Sequence, residues 1–215
     1  MASVAVPVPP ALTRRNNHVL RPRDAAGIYA HPRVQLARLA QAGVTRHLAT
    51  GYYALVPHRR LADPTWQPDL HAVALGIAQA DYGTDAVALM GISAARCHGA
   101  IPRALATAVV AVPKQRPALR TEVGQVLFPE RDVTRLDVER IDTELTVGWI
   151  TTIEQTLLDL AARPTLGGLT PDAATEAIHA LITRADAGLL AELARDQHKP
   201  AAWRRIRQLM ETAHA

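Results

Sequence analysis

Cysteine occurs once in the 215 residues of the chain, at Cys97. A lone thiol excludes an internal disulfide, and without a Cys-x-x-Cys pair it excludes a thiolate zinc knuckle. Aromatic residues make up only 4%, so the core has to be built from Leu, Val, Ile and the abundant Ala. No apolar run approaches the ~18–20 residues that would span a bilayer. The nine histidines are scattered, and neither an HExxH motif nor a paired-carboxylate spacing occurs, so no metal site is expected. A Walker loop, a GxGxxG turn and an HRD-type element are also missing, which leaves an ordinary kinase or NTPase unsupported and no cofactor expected. The start of the chain is apolar but has no basic n-region, and its prolines oppose a signal-type helix. It reads as an ordinary terminus or a short arm, with the cytoplasm as the expected location.

What is present describes a folded protein: 48% hydrophobic and 20% charged residues, with length for one large domain or two small ones. Acidic residues are scarce in one place only. The first 60 residues hold nine arginines and a single acidic side chain, Asp24, while the rest carries 15 Lys+Arg against 19 Asp+Glu. Positive charge gathered on one short segment is the electrostatic footprint of nucleic-acid binding, because each neutralised phosphate releases condensed counterion. A solvated basic face with no partner would give the same count. The pattern beneath the charge has to decide.

Val19 to Val56 carries an ordered set of start and stop signals. Pro22 opens a short helix, Arg23–Tyr29, in which Gly27 would permit close approach of a neighbouring helix. A turn follows at Ala30-His31, and Pro32 opens a second helix that ends before Gly43. Two β-prone runs, Val44–Leu48 and Tyr52–Val56, flank a turn at Thr50-Gly51 and predict a hairpin. Helix, turn, helix and hairpin in this order predict a winged helix-turn-helix, with an extra N-terminal helix somewhere in residues 3–20. Pro57 to Pro68, rich in proline, reads as a connector. Beyond it, helices are predicted at His71–Ala80 and Ser93–Gly99. Strands follow at Thr107–Val112, Gln125–Phe128 and Leu145–Ile150, then helices at 151–163, 171–183, 186–197 and 201–213. The expected fold is α+β: a winged helix over residues 1–60, then a larger mixed α/β domain over 61–215 with a helical C-terminus.

On a helical wheel, Leu36, Leu39 and Ala40 share one side of the second helix, and Arg33, Val34, Ala37, Arg38 and Gln41 share the other. That second face suits a major groove: Arg can read guanine, Gln adenine, and Val or Ala the thymine methyl. In the hairpin, Arg46, His47 and Thr50 are placed to follow phosphates or enter the minor groove, and the Tyr52 hydroxyl to reach a phosphate while the other tyrosine faces the core. Arg14, Arg15, Arg21, Arg23, Arg59 and Arg60 would add sequence-neutral backbone contacts. Pattern and charge together favour double-stranded DNA as a partner.

These residues resemble a known family. The runs Asp24-Ala-Ala-Gly-Ile-Tyr29, Leu36-Ala-Arg-Leu-Ala-Gln-Ala-Gly43 and Ala49-Thr-Gly-Tyr-Tyr-Ala-Leu-Val56 are similar to the winged-helix start of AbiEi-type antitoxins of type IV toxin–antitoxin systems, the mycobacterial MenA-like members most of all. Further matches follow in order: Ile92-Ser-Ala-Ala-Arg-Cys-His-Gly-Ala-Ile-Pro102, Val109-Val-Ala-Val-Pro113 and Thr151-Thr-Ile-Glu-Gln-Thr-Leu-Leu-Asp-Leu-Ala161. The likeness covers roughly residues 20–163 and continues to the end only as helical character. It implies an antitoxin that represses its own operon and opposes a nucleotidyltransferase-like toxin by stoichiometric binding, without enzymatic turnover. Two alternatives stay open: an antitoxin that acts enzymatically by promoting phosphorylation of its toxin, and a free-standing transcription factor with a ligand-sensing domain.

Other residues invite readings of their own. Ser93, Cys97 and His98 suggest a hydrolase, but adjacent Cys97 and His98 on a helix do not share a face and no GxSxG elbow surrounds Ser93, which is better placed to cap a helix. Thr151 and Thr152 each have a capping-box spacing, to Glu154 and Gln155, opening a helix whose core face is Ile153, Leu157 and Leu160 and on which Asp159 is a surface or helix-contact residue. Near the C-terminus, Trp203, Arg204, Arg205 and Arg207 combine the residue types favoured at interface hot spots and are candidates for toxin contact. Docking of Trp203, Ile206 and Met210 on their own domain would explain the same pattern.

Overall fold

Ala108 and Val110 point to one side of their strand and Val109 and Ala111 to the other, and all four are fully buried. A strand apolar on both faces needs cover on both faces. It is β5 (Thr107–Ala111) of a six-stranded mixed sheet. The sheet runs β6 (Arg116–Thr121), β7 (Gly124–Phe128), β5, β4 (Ala88–Leu89), β9 (Val147–Thr151), β8 (Val138–Asp142). The β5–β7 and β4–β9 pairs are parallel and the others antiparallel. The structure is a computed structural model and describes residues 8–213.

One face of this sheet is covered by a single helix, α3 (Leu70–Tyr82), buried from Leu70 to Gln79 on every side. Burial all round is what its apolar sequence requires. The opposite face carries α4 (Ile92–Cys97), α5 (Ile153–Ala162), α6 (Pro171–Ile182), α7 (Ala187–Asp196) and α8 (Pro200–Ala213). On the far side of α3 lies a second, antiparallel sheet of three strands in the order β1 (Val19–Leu20), β3 (Tyr52–Leu55), β2 (Thr45–Ala49). Val19, Leu48, Ala49, Tyr52, Ala54 and Val56 from the N-terminal segment share one core with α3, β5 and β7. Gly76 makes that contact possible, since a Cβ there would collide with the Val19 side chain. Asn17 fixes the approach: its Nδ2 donates to the Gly76 carbonyl at 2.8 Å, and its Oδ1 accepts from Val19 N at 2.9 Å.

Asp69 caps α3, accepting from His71 N at 2.8 Å and Ala72 N at 3.3 Å. The His71 side chain, and to a lesser degree these amides, lower its pKa from 3.8 to about 2. Loss of the cap in Asp69→Ala is expected to cost about 1 kcal/mol in chemical denaturation at neutral pH. Because the folded pKa is depressed, the stabilisation is present above 3.8 and is lost as pH falls toward 2. The difference between variant and parent should therefore shrink in acid.

Several expected elements take another form. The helix expected at Arg23–Tyr29 is a single 3-10 turn, Pro22–Ala25, closed by Arg21 N donating to Asp24 Oδ2 at 2.7 Å. Gly27 has open space around it, not a close neighbour. Of the helix expected within residues 3–20, α1 (Pro10–Thr13) is the described part, and residues 1–7 lie outside the described region. The strap expected to be a connector, 57–68, is folded onto the protein: Trp66 is buried in the core shared with α3, and Asp63 Oδ1 holds both N and Oγ1 of Thr65. Residues on both sides of position 60 thus share one core. Ser93 does not cap its helix; Gly91 stands at that position, and the Ser93 hydroxyl accepts from Val109 N at 2.7 Å, tying α4 to β5. Of the two capping-box threonines, Thr152 forms the cap on Gln155 N. No helix among the described residues is long and apolar enough to cross a membrane.

Candidate nucleic-acid interface

Pro32 occupies the first turn of α2 (Pro32–Gln41), where its missing N–H costs nothing. Leu36 and Leu39 anchor the helix in a small core with Leu12, Leu20, Ala25 and Leu55. That anchoring turns Arg33, Val34, Arg38 and Gln41 to solvent, with Ala37 half-buried between them. Val34 is 52% exposed, the most exposed large hydrophobic residue described. Within residues 8–213, the side chains of Arg33, Arg38 and Gln41 make no hydrogen bond or ion pair. A helix face with two unpaired guanidiniums, an amide and small apolar groups has the donors and the methyl contacts that base edges accept.

The hairpin forms as expected, β2 and β3 joined through exposed Thr50 and Gly51, the latter at φ +83. Its side chains are used differently. Arg46 is turned inward: its Nε donates to the Trp66 carbonyl at 3.1 Å, and its Nη2 donates to the carbonyls of Asp63 and Pro64. His47 Nδ1 lies 3.3 Å from Glu122 Oε1, which places an acidic group beside the hairpin. The two tyrosines exchange the expected roles. Tyr52 is the buried one, its hydroxyl donating to Asp81 Oδ2 at 2.7 Å, while Tyr53 is half-exposed and packs edge-on against the His47 ring. Burial first, then the Asp81 carboxylate, raises the Tyr52 pKa. Arg21 pairs with Asp81 and Arg23 donates to the Ala80 carbonyl, so both serve to dock the N-terminal sheet on α3. Arg15 pairs with Asp24 at 3.1 Å, whereas Arg14, Arg59 and Arg60 are exposed, Arg60 beside Asp63.

The chain resembles the RV2827C protein from Mycobacterium tuberculosis in a solved crystal structure. The TM-score is 0.61 at 18% sequence identity, over 93% of this chain and 73% of that one. At that identity the likeness concerns the fold. No protein-family model matches the chain, and no curated protein sequence does.

Two buried carboxylates carry more of the structure than their sequence context suggested. Asp81, near the end of α3, collects Arg21 on one oxygen and Arg116 and Tyr52 on the other. Asp159, expected as a surface or helix-contact residue, is 5% exposed; its Oδ1 accepts from Arg131 at 3.1 Å, Lys199 at 3.0 Å and Gln155 at 3.3 Å. No local motif announces either cluster, because their cationic partners lie 28 to 60 positions away in the chain.

The Cys97 thiol is not set up as a nucleophile. Burial pushes its pKa up to about 11, and His98 spends Nε2 on the Thr151 carbonyl at 2.8 Å. At the C-terminus, Trp203 packs with Ala202, Ile206 and Met210 on the helical core. Arg205 donates to Thr175 Oγ1 at 3.2 Å and Arg207 lies 3.8 Å from Glu211, leaving Arg204 as the unpaired cation of the four candidates.

Proposed function

We propose that the chain is an AbiEi-type antitoxin: a stoichiometric DNA-binding regulator whose N-terminal segment acts as a winged helix-turn-helix on operator DNA. Its larger part opposes a nucleotidyltransferase-like toxin. The observation that carries the DNA part is the exposed, unpaired face of α2, which combines Arg33, Val34, Arg38 and Gln41 on a helix fixed from behind by Leu36 and Leu39. The toxin part is supported by the ordered resemblance over residues 20–163 and by the net acidic charge after residue 60, which suits a protein partner better than a polyanion.

Two experiments test this reading on the intact chain. Gel retardation with the DNA upstream of its own gene should show specific binding, and co-expression with the neighbouring gene should restore growth. Failure of the first sinks the operator reading, and failure of the second the antitoxin reading. Arg59 gives a finer check. Exposed and unpaired, it is placed to touch phosphate only, so Arg59→Ala should weaken binding to all sequences alike. The salt slope should fall by about one unit, measured by anisotropy titrations over a range of salt concentrations.

A further inference from the structure

A cleft of about 530 Å³ opens beside Asp159, between the segment after β7, the end of α5 and the α7–α8 turn. Nothing in the DNA or toxin reading uses it. Its floor is apolar, with Met90 fully buried, and its walls carry four cations, Arg131, Arg135, Arg163 and Lys199, of which all but Arg135 gather about Asp159. Arg131 and Lys199 each give one hydrogen bond to Asp159 Oδ1, which leaves most of their N–H donors free. Arg163 adds a third cation close enough for its charge, with that of Arg131 and with burial as the main cause, to lower the Lys199 pKa. Asp159 is the one carboxylate set among them. Asp132 is turned onto Thr134, Glu130 onto Gln115 N, and Asp196 is exposed at the mouth.

Two further observations concern what the cleft would hold. Asp159 Oδ2 is buried and has no hydrogen-bond partner among the described residues, an acceptor without a donor. Such a group is costly to bury unless something supplies the missing bond. His198, next to Lys199, is the one non-glycine residue described with a left-handed backbone, at φ +52. That conformation sets the turn from which Lys199 reaches Asp159.

We propose that this cleft binds a small phosphorylated molecule, its phosphate held by Arg131, Arg163 and Lys199 and a hydroxyl of its body donating to Asp159 Oδ2. A phosphomonoester carries roughly −1.5 to −2 at neutral pH and offers three acceptor oxygens to the free donors of these three cations, against two from a carboxylate. Guanidinium groups also suit the oxygens of phosphate by paired hydrogen bonds. The volume exceeds that of a phosphate group alone and has room for a sugar-sized body against Met90.

The test is isothermal titration of the full chain at low ionic strength with ribose 5-phosphate and, separately, with inorganic phosphate. One ribose 5-phosphate should bind per chain, about tenfold more tightly than phosphate. Arg163→Ala, at an exposed position that supports no other side chain, should weaken both probes about tenfold without lowering the melting temperature. Asp159→Asn, which keeps the volume, should abolish the preference for the sugar phosphate. Absence of binding by either probe up to about 10 mM would overturn the proposal. Binding that is unchanged in both Arg163→Ala and Lys199→Ala would also overturn it, because the phosphate would then sit on the N-terminal arginines.

Discussion

Replacement of Asp81 by alanine should lower the unfolding free energy by about 2–3 kcal/mol, a large loss for a single polar side chain. The Asp81 side chain is 9% exposed and joins three parts of the molecule: Arg21 from the N-terminal segment, Tyr52 from β3 and Arg116 from β6. Without it, two guanidiniums and a phenol face each other with nothing between them. Truncating one partner of a fully buried pair costs about 3–5 kcal/mol. Arg21 and Arg116 keep 31% and 22% exposure, and water reaching them lowers the figure. Asp81→Asn should retain an acceptor for Tyr52 and lose less. Urea titrations of the two variants against the parent check the prediction, and an Asp81→Ala midpoint equal to that of the parent would remove the carboxylate from the account of how the two sheets are held together.

Arg33→Ala combined with Arg38→Ala should reduce affinity for the specific operator by about 3 kcal/mol, roughly a hundredfold. Each arginine is exposed, and neither side chain is engaged among the described residues, so their removal has no fold to disturb. A base-reading arginine is worth about 1–3 kcal/mol of discrimination. The loss should therefore fall on the specific site, while binding to unrelated DNA declines only through two lost charges. Competition titrations with operator and scrambled duplexes separate these effects. Equal losses on both duplexes would mean that α2 touches only the DNA backbone.

The elements most legible in the sequence are those with strong local signals. Proline starts, a glycine stop and apolar periodicity gave α2, and all four C-terminal helices lie where Pro, Asp and Gly boundaries put them. Strands as short as Val19–Leu20 and Ala88–Leu89 were not foreseen, nor were the edge strands β6 and β8, whose polar alternation looks like loop. The candidate interface divided in the same way. Wheel geometry placed the α2 residues on the exposed face they occupy, because Leu36 and Leu39 leave a helix no choice of side. Arginine count gave no such guidance. Arg21, Arg23 and Arg46 look like Arg33 in a sequence, and only long-range partners at Asp81, Ala80 and Trp66 show that they are engaged inside the molecule. Asp81 escaped notice for the same reason, and so did the cationic partners of Asp159.

The core shared between the N-terminal sheet and α3 also bears on how the chain is made. Residues 19–56 leave the ribosome first, yet the apolar faces of Val19, Leu48, Ala54 and Val56 have no cover until α3 has followed them. Backbone pairing of His18 with Leu145 waits longer still. Contacts so far apart in sequence form late and slowly. The nascent N-terminal segment therefore holds an open apolar surface through much of synthesis, and it reaches its packed form only when most of the polypeptide behind it is complete.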